Sequence, residues 1–223
     1  MITPILLGTA VIPNNGGELR LTQRSNDFSI HLKGLRGELM NSRVHSSELA
    51  LADLGCAHIQ GVENTKVLVG GLGMGFTLAA ALKATTTSSQ VIVAELVPEV
   101  VEWNKGPLGE CAGRPLDDKR TVVKLGDVAA LFKTKKPTYD AVLLDVDNGP
   151  EGFTHADNNN LYSLNSLLAI KQTLRPKGVL AIWSAWHDPK FTQQLKKARF
   201  KVDVKTVRAH KGKGSHHTIY LAC

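Results

Sequence analysis

Lys66-Val-Leu-Val-Gly-Gly-Leu-Gly-Met-Gly75 decides how this chain is read. Val67, Leu68 and Val69 form a short apolar run of the kind found in strands buried on both faces. Gly70, Gly71, Gly73 and Gly75 follow, and Phe76 to Lys83 is rich in Ala and Leu, as a helix would be. A strand, a glycine turn and a helix let a nucleotide approach the backbone closely, because no Cβ stands in the way. A second apolar run, Val91-Ile-Val-Ala94, ends on Glu95, 20 residues beyond Gly75. An acid at that place can accept hydrogen bonds from ribose hydroxyls. The glycine spacing alone does not choose among nucleotides, since NAD-binding folds use a similar turn.

Outward from this unit, strands and helices alternate. Pro98 starts a helix that runs to about Asn104, and Thr121 to Leu125 is a third strand followed by Gly126-Asp127. Ala141 to Leu144 is a fourth, followed by Asp145-Val-Asp-Asn-Gly-Pro150. A helix is predicted from about Asn160 to Leu174 and a fifth strand over Val179–Trp183. Asp188 caps, and Pro189 starts, a further short helix. Phe200 to Arg208 and Thr218 to Ala222 close the chain as a hairpin across Lys-Gly-Lys-Gly, hence antiparallel. Repeated βα units with such an ending predict a mostly parallel α/β sheet of Rossmann type whose last strand is antiparallel. Ligands of these sheets lie across the carboxyl ends of the strands.

Residues 1–43 read as a separate small β unit ahead of a domain over 44–223. Gly17 to Arg24 and Asp27 to Lys33 alternate in polarity across a Ser25-Asn26 turn, and Arg36 to Ser42 is a candidate third strand. Ser46 to Leu54 reads as a helix stopped by Gly55.

The 223 residues suit one domain with a small appendage. No apolar run reaches the roughly 18 residues needed to cross a bilayer, and the first residues lack the basic start of a signal peptide. Cys56, Cys111 and Cys223 are scattered and odd in number, which points to reduced thiols and a cytoplasmic setting. The formal charge is +7. Eight of the Lys and Arg residues and a single acid, Asp203, fall within residues 196–217, so the rest of the chain is balanced. Such a patch suits a nucleic acid or an acidic metabolite, or a lysine-protected sheet edge. No aromatic residues interleave with it as a stacking platform would need. His210, His216 and His217 lack the acids or thiols that would complete a metal site, and no metal is expected.

These strand-end residues resemble those of the class I S-adenosylmethionine-dependent methyltransferases, and within that group the spermidine synthases. The resemblance implies that Gly70, Gly71, Gly73 and Gly75 hold the methionine moiety, that Glu95 binds ribose, and that Gly126 and Asp127 contact adenine. It also places the catalytic loop at Asp145, Asp147 and Asn148. Asp145 would hold the cofactor's amine end or orient the acceptor, and Asp147 or Asn148 would do the second task or form an Asx turn. His45 matches the His of a Tyr-His-Glu element, and it either reaches the substrate or starts the helix at Ser46. His187, after the fifth strand, either borders the acceptor or sits beside the Asp188 cap. A homodimer follows from the resemblance.

Departures from the family pattern set the functional expectation. Gly73 stands where the family's glycine turn has an Asp, Leu32-Lys-Gly-Leu-Arg-Gly37 loses an Asp and a Gln, and Asn148 replaces an acid. A polyamine pocket needs anions to replace lost hydration. On that basis an enzyme transferring a methyl group from S-adenosylmethionine to an unidentified acceptor, an amine among the candidates, comes first. Aminopropyl transfer from decarboxylated S-adenosylmethionine comes second, and a non-catalytic nucleoside-binding protein third. An NAD-dependent oxidoreductase is a fourth reading, against which the terminal hairpin speaks.

Overall fold

The computed structural model describes residues 3–134, 136–146, 161–210 and 213–223. It contains two sheets. The first runs β1 (Ile5–Ile12), β2 (Gly17–Arg24), β3 (Asp27–Leu32) and β4 (Met40–Asn41) in chain order, with every neighbouring pair antiparallel. The second has seven strands: β5 (Lys66–Gly70), β6 (Gln90–Glu95), β7 (Thr121–Leu125), β8 (Tyr139–Leu144), β9 (Leu174–Ser184), β10 (Val202–His210) and β11 (Lys213–Ala222). Their order across the sheet is β10-β11-β9-β8-β5-β6-β7, and β9, β8, β5, β6 and β7 pair in parallel. β11 is antiparallel to both its neighbours, as the terminal hairpin predicts.

Alternation along each central strand builds two cores, because successive side chains leave a strand on opposite faces. Val67 and Val69 of β5, with Val91, Val93 and Leu143, face one core. It also receives α1 (Ser46–Gly55), α2 (Phe76–Ala84) and α3 (Pro98–Lys105), together with Leu21 and Ile30 of the small sheet. Leu68, Ile92, Val142 and Leu144 face the other, against α4 (Leu164–Thr173) and α5 (Pro189–Lys197). The continuous apolar runs read as doubly buried strands owe their composition to this: Val67, Leu68 and Val69 are all fully buried.

Four local expectations are revised. β1 was not foreseen; its residues do not alternate, and its register with β2 shifts between Leu6 and Gly8. The third strand of the small sheet shrinks to Met40–Asn41. β9 begins at Leu174, and its pairing with β8 is irregular between Tyr139 and Ala141, which accommodates Pro176 and Gly178. The closing hairpin is longer than predicted, with Val202–His210 against Lys213–Ala222.

Candidate active site

The glycine turn leaves β5 and meets β8 edge to edge. Asp145 N–H donates to Gly70 O at 2.9 Å. A Cβ on Gly71, whose φ is +91, would stand 2.4 Å from the Asp145 carbonyl oxygen. Only glycine fits a backbone this close in this conformation. Gly73 turns with φ +51, and Asn104 of α3 steadies it by donating from Nδ2 to the Gly73 carbonyl at 2.8 Å. Gly75, also left-handed, caps α2.

Glu95 ends β6 only 8% exposed. Its two oxygens accept from Leu72 N–H and Val97 N–H, each at 2.9 Å. The carboxylate therefore ties the glycine turn to the next strand end. Asp127 follows β7 and accepts from Ala129 N–H at 2.8 Å, starting the turn of 3-10 helix over Val128–Thr134.

These strand ends surround a cavity of about 450 Å³. Gly71, Gly73, Glu95, Gly126, Asp127 and Asp145 line it, and the small sheet roofs it with Ile12, Leu19, Ile30 and Met40. Gly70 and Gly75 shape the turn from behind: a Cβ on Gly70 would meet Leu144 and Val128, and one on Gly75 would meet Asn104 and Pro115. A second cavity of about 430 Å³ adjoins the first and shares Gly73, Leu39, Met40 and Asp145 with it. Its own walls include Glu38, Glu48, Phe76, Trp183 and His217.

Asp145 stands where the cavities meet. Its Oδ2 accepts from Thr77 Oγ1 at 2.5 Å. Burial, then the nearby Glu48 charge, push its carboxyl up to about 7, with the Thr77 hydroxyl working the other way. Burial likewise raises Glu48, which accepts from Ser47 Oγ at 2.7 Å. Glu38 differs: burial works against its charge, yet hydrogen bonds from Ser29 and Arg43 hold it below the ordinary range. Arg43 Nη2 reaches both its oxygens, at 2.9 and 2.8 Å. His217 packs edge-on to Trp183 with ring centres 4.7 Å apart, and burial lowers its basicity.

Of the residues predicted from sequence, the fold gathers Gly71, Gly73, Glu95, Gly126, Asp127 and Asp145 around one cavity. Asp147 and Asn148 lie outside the described residues. His45 is not among the residues that line either cavity. Its ring stacks on Phe76 at 4.1 Å, and its Nδ1 bonds the Ser42 carbonyl. His187 is also outside them, with Nε2 3.3 Å from Thr192 Oγ1. Glu48 went unnoticed in the sequence, although an acid in the first turn of the helix just before the glycine unit was a visible signal.

A Rossmann-like sheet of this order, with acids at the strand ends and a glycine turn, defines the class I methyltransferase fold. Solved structures agree at the level of fold. A spermidine synthase in complex with the transition state analogue AdoDATO superposes with TM-score 0.74 and 16% identity, over 97% of this chain and 71% of that one. A spermidine synthase from Thermotoga maritima gives 0.71 and 16%, over 97% and 72%. Human methyltransferase-like protein 13 in complex with SAH gives 0.58 and 21%, over 79% and 80%. Residues 47–209 match the spermine/spermidine synthase domain, and the chain belongs to that family. A polyamine aminopropyltransferase of Prochlorococcus marinus (strain AS9601) is 32% identical over 123 residues, which are 55% of this chain and 41% of that protein.

Methyl transfer, placed first on the sequence, is thereby corrected: the matching family and the named relative are those of aminopropyl chemistry. The altered motifs do not leave the site without anions: Glu48 and Asp145 both line the second cavity.

Proposed function

We propose that this chain is an aminopropyltransferase that takes decarboxylated S-adenosylmethionine in the first cavity and an amine acceptor in the second. One observation carries the choice of donor. Glu95, Asp127 and Asp145 line the first cavity, and no Lys, Arg or His does among the described residues. S-adenosylmethionine brings a carboxylate that such a wall repels; its decarboxylated form brings only cationic groups that acids hold. The adjoining cavity, about 430 Å³ and bounded by Glu48 and Asp145, is suited to an amine by the same reasoning.

Bound there, the donor supplies a carbon activated by its sulfonium sulfur. The chain supplies position. Glu95 bonds the ribose hydroxyls with the lone pairs left over from Leu72 and Val97, and Asp127 faces the base. Asp145, at the junction, orients the acceptor nitrogen and relieves it of a proton.

Purified protein incubated with either donor and a panel of mono-, di- and polyamines, read by mass spectrometry, tests this. Aminopropylated amine formed from the decarboxylated donor alone is the expected result. Methylated product from S-adenosylmethionine, or donor binding without transfer to any amine, would sink the reading.

A further inference from the structure

Two carboxylates from distant parts of the chain, Glu48 and Asp145, line the second cavity, and Asp145 lines the first as well. Asp145 follows β8 and Glu48 lies in the first turn of α1. Each accepts from one hydroxyl, Thr77 Oγ1 or Ser47 Oγ. Among the described residues neither is in an ion pair. Acids kept for stability are paired when they are withdrawn from water. The cation nearest at hand in sequence, Arg43, is committed to Glu38 and Asp27 instead. The remaining titratable groups on these walls are Glu38, ion-paired with Arg43, and the half-buried His217 on the acceptor side, and Glu95 and Asp127 on the donor side. A pair of acids so placed, facing a cavity rather than a partner, is held ready for a cation that comes and goes.

We propose that Glu48 is a positioning residue for the transfer: the charge it places on the cavity wall beside Asp145 lets the ionised pair take up, and hold between them, the one proton that leaves the acceptor's ammonium. This rests on the aminopropyl reading and adds a residue to it. Two like charges at close quarters do not both ionise freely, so the pair binds a proton that a lone carboxylate would release. A base is most effective when its proton affinity lies near working pH. In the step, an N–H bond of the acceptor's ammonium breaks and the proton goes to Asp145. The freed lone pair forms the new N–C bond, and the C–S pair departs with sulfur, which becomes a neutral thioether. The product is a secondary ammonium; Asp145 returns its proton to water as the product leaves.

The test compares wild type with Glu48→Gln and Glu48→Asp. The readouts are the pH profile of kcat/KM for the amine and a 13C-NMR titration of the Asp145 carboxyl. Glu48→Gln is expected to move the acid limb and the Asp145 midpoint to lower pH by about one unit, and to lower the plateau roughly tenfold or more. Glu48→Asp should restore both. A merely structural Glu48 would lower the rate and leave the limb in place, and that result overturns the proposal. So does an unmoved Asp145 titration, which needs no turnover to be read. A moved titration in a protein that aminopropylates no amine removes the transfer reading itself, and the use of the pair in catalysis with it.

Discussion

Glu95 shows how one side chain can serve both fold and site. Its oxygens hold the N–H groups of Leu72 and Val97, so Glu95→Ala strands two buried donors. At about 1–3 kcal/mol for each unsatisfied group, denaturant titration should show a loss of about 2–6 kcal/mol. Donor affinity by calorimetry should fall about a hundredfold in the same variant. Glu48 makes the opposite prediction. It and Asp145 are raised above their unfolded values, so between about pH 4 and 7 the native state binds more protons than the unfolded chain. Wild-type stability from this pair is present at low pH and lost as pH rises through that window. Glu48→Gln removes one charge, and should be about as stable as wild type near pH 4 but more stable by roughly 1–2 kcal/mol at pH 8, as urea melts across pH will show. Spacing made Gly71, Glu95 and Asp127 legible in the sequence, because a strand end announces itself by where the apolar run stops. For Glu48 the first-turn position was legible, but not that it shares a cavity wall with Asp145, which depends on the way α1 lies along the sheet. His45 was singled out by its match to a Tyr-His-Glu element and His187 by its place after the fifth strand, and neither signal says which way a ring points.

Elements were legible where periodicity and punctuation agreed. Asp188-Pro189 starts α5, and Asp188 Oδ1 accepts from Lys190 N–H at 2.7 Å as a cap should. β1 escaped because its sequence is apolar nearly throughout and does not alternate, although only part of it is buried: Ile5, Leu6, Leu7 and Val11 are 65%, 54%, 44% and 72% exposed, while Ala10 and Ile12 are buried. It is an edge strand, and its shifted register sends neighbouring apolar residues the same way. β2, one strand in, carries the packing. Leu21→Ala, at a site 3% exposed, should cost about 2–5 kcal/mol. Val11→Lys should change stability by less than about 0.5 kcal/mol. Urea unfolding of the two variants beside wild type decides whether the small sheet is held from its inner strands.

At the scale of the molecule, the small sheet and the seven-stranded sheet face each other across the first cavity, with Ile12, Leu19 and Ile30 on one side and Glu95 and Asp127 on the other. A ligand there touches both. Binding to the native state alone stabilises by mass action, about 2.7 kcal/mol at a hundredfold excess over Kd. Decarboxylated S-adenosylmethionine should therefore slow amide exchange in β2 and β3 as strongly as in the glycine turn, measured by hydrogen–deuterium exchange. Protection confined to the glycine turn would show that the roof takes no part in binding. The alternation of strands and helices made the large sheet legible at this scale; the roof was not, since which sheet covers which is decided by packing between elements far apart in sequence.

The acid-walled chamber has one further consequence, for how a cycle ends. In the transfer proposed above, the charge it draws on is positive. When the aminopropyl group departs, sulfur gives up its charge and the amine leaves with the group, so the nucleoside left behind is uncharged. Its ribose and base keep their neutral contacts, but the acid wall has nothing ionic left to attract, and the bond-making event itself loosens the spent molecule from its seat.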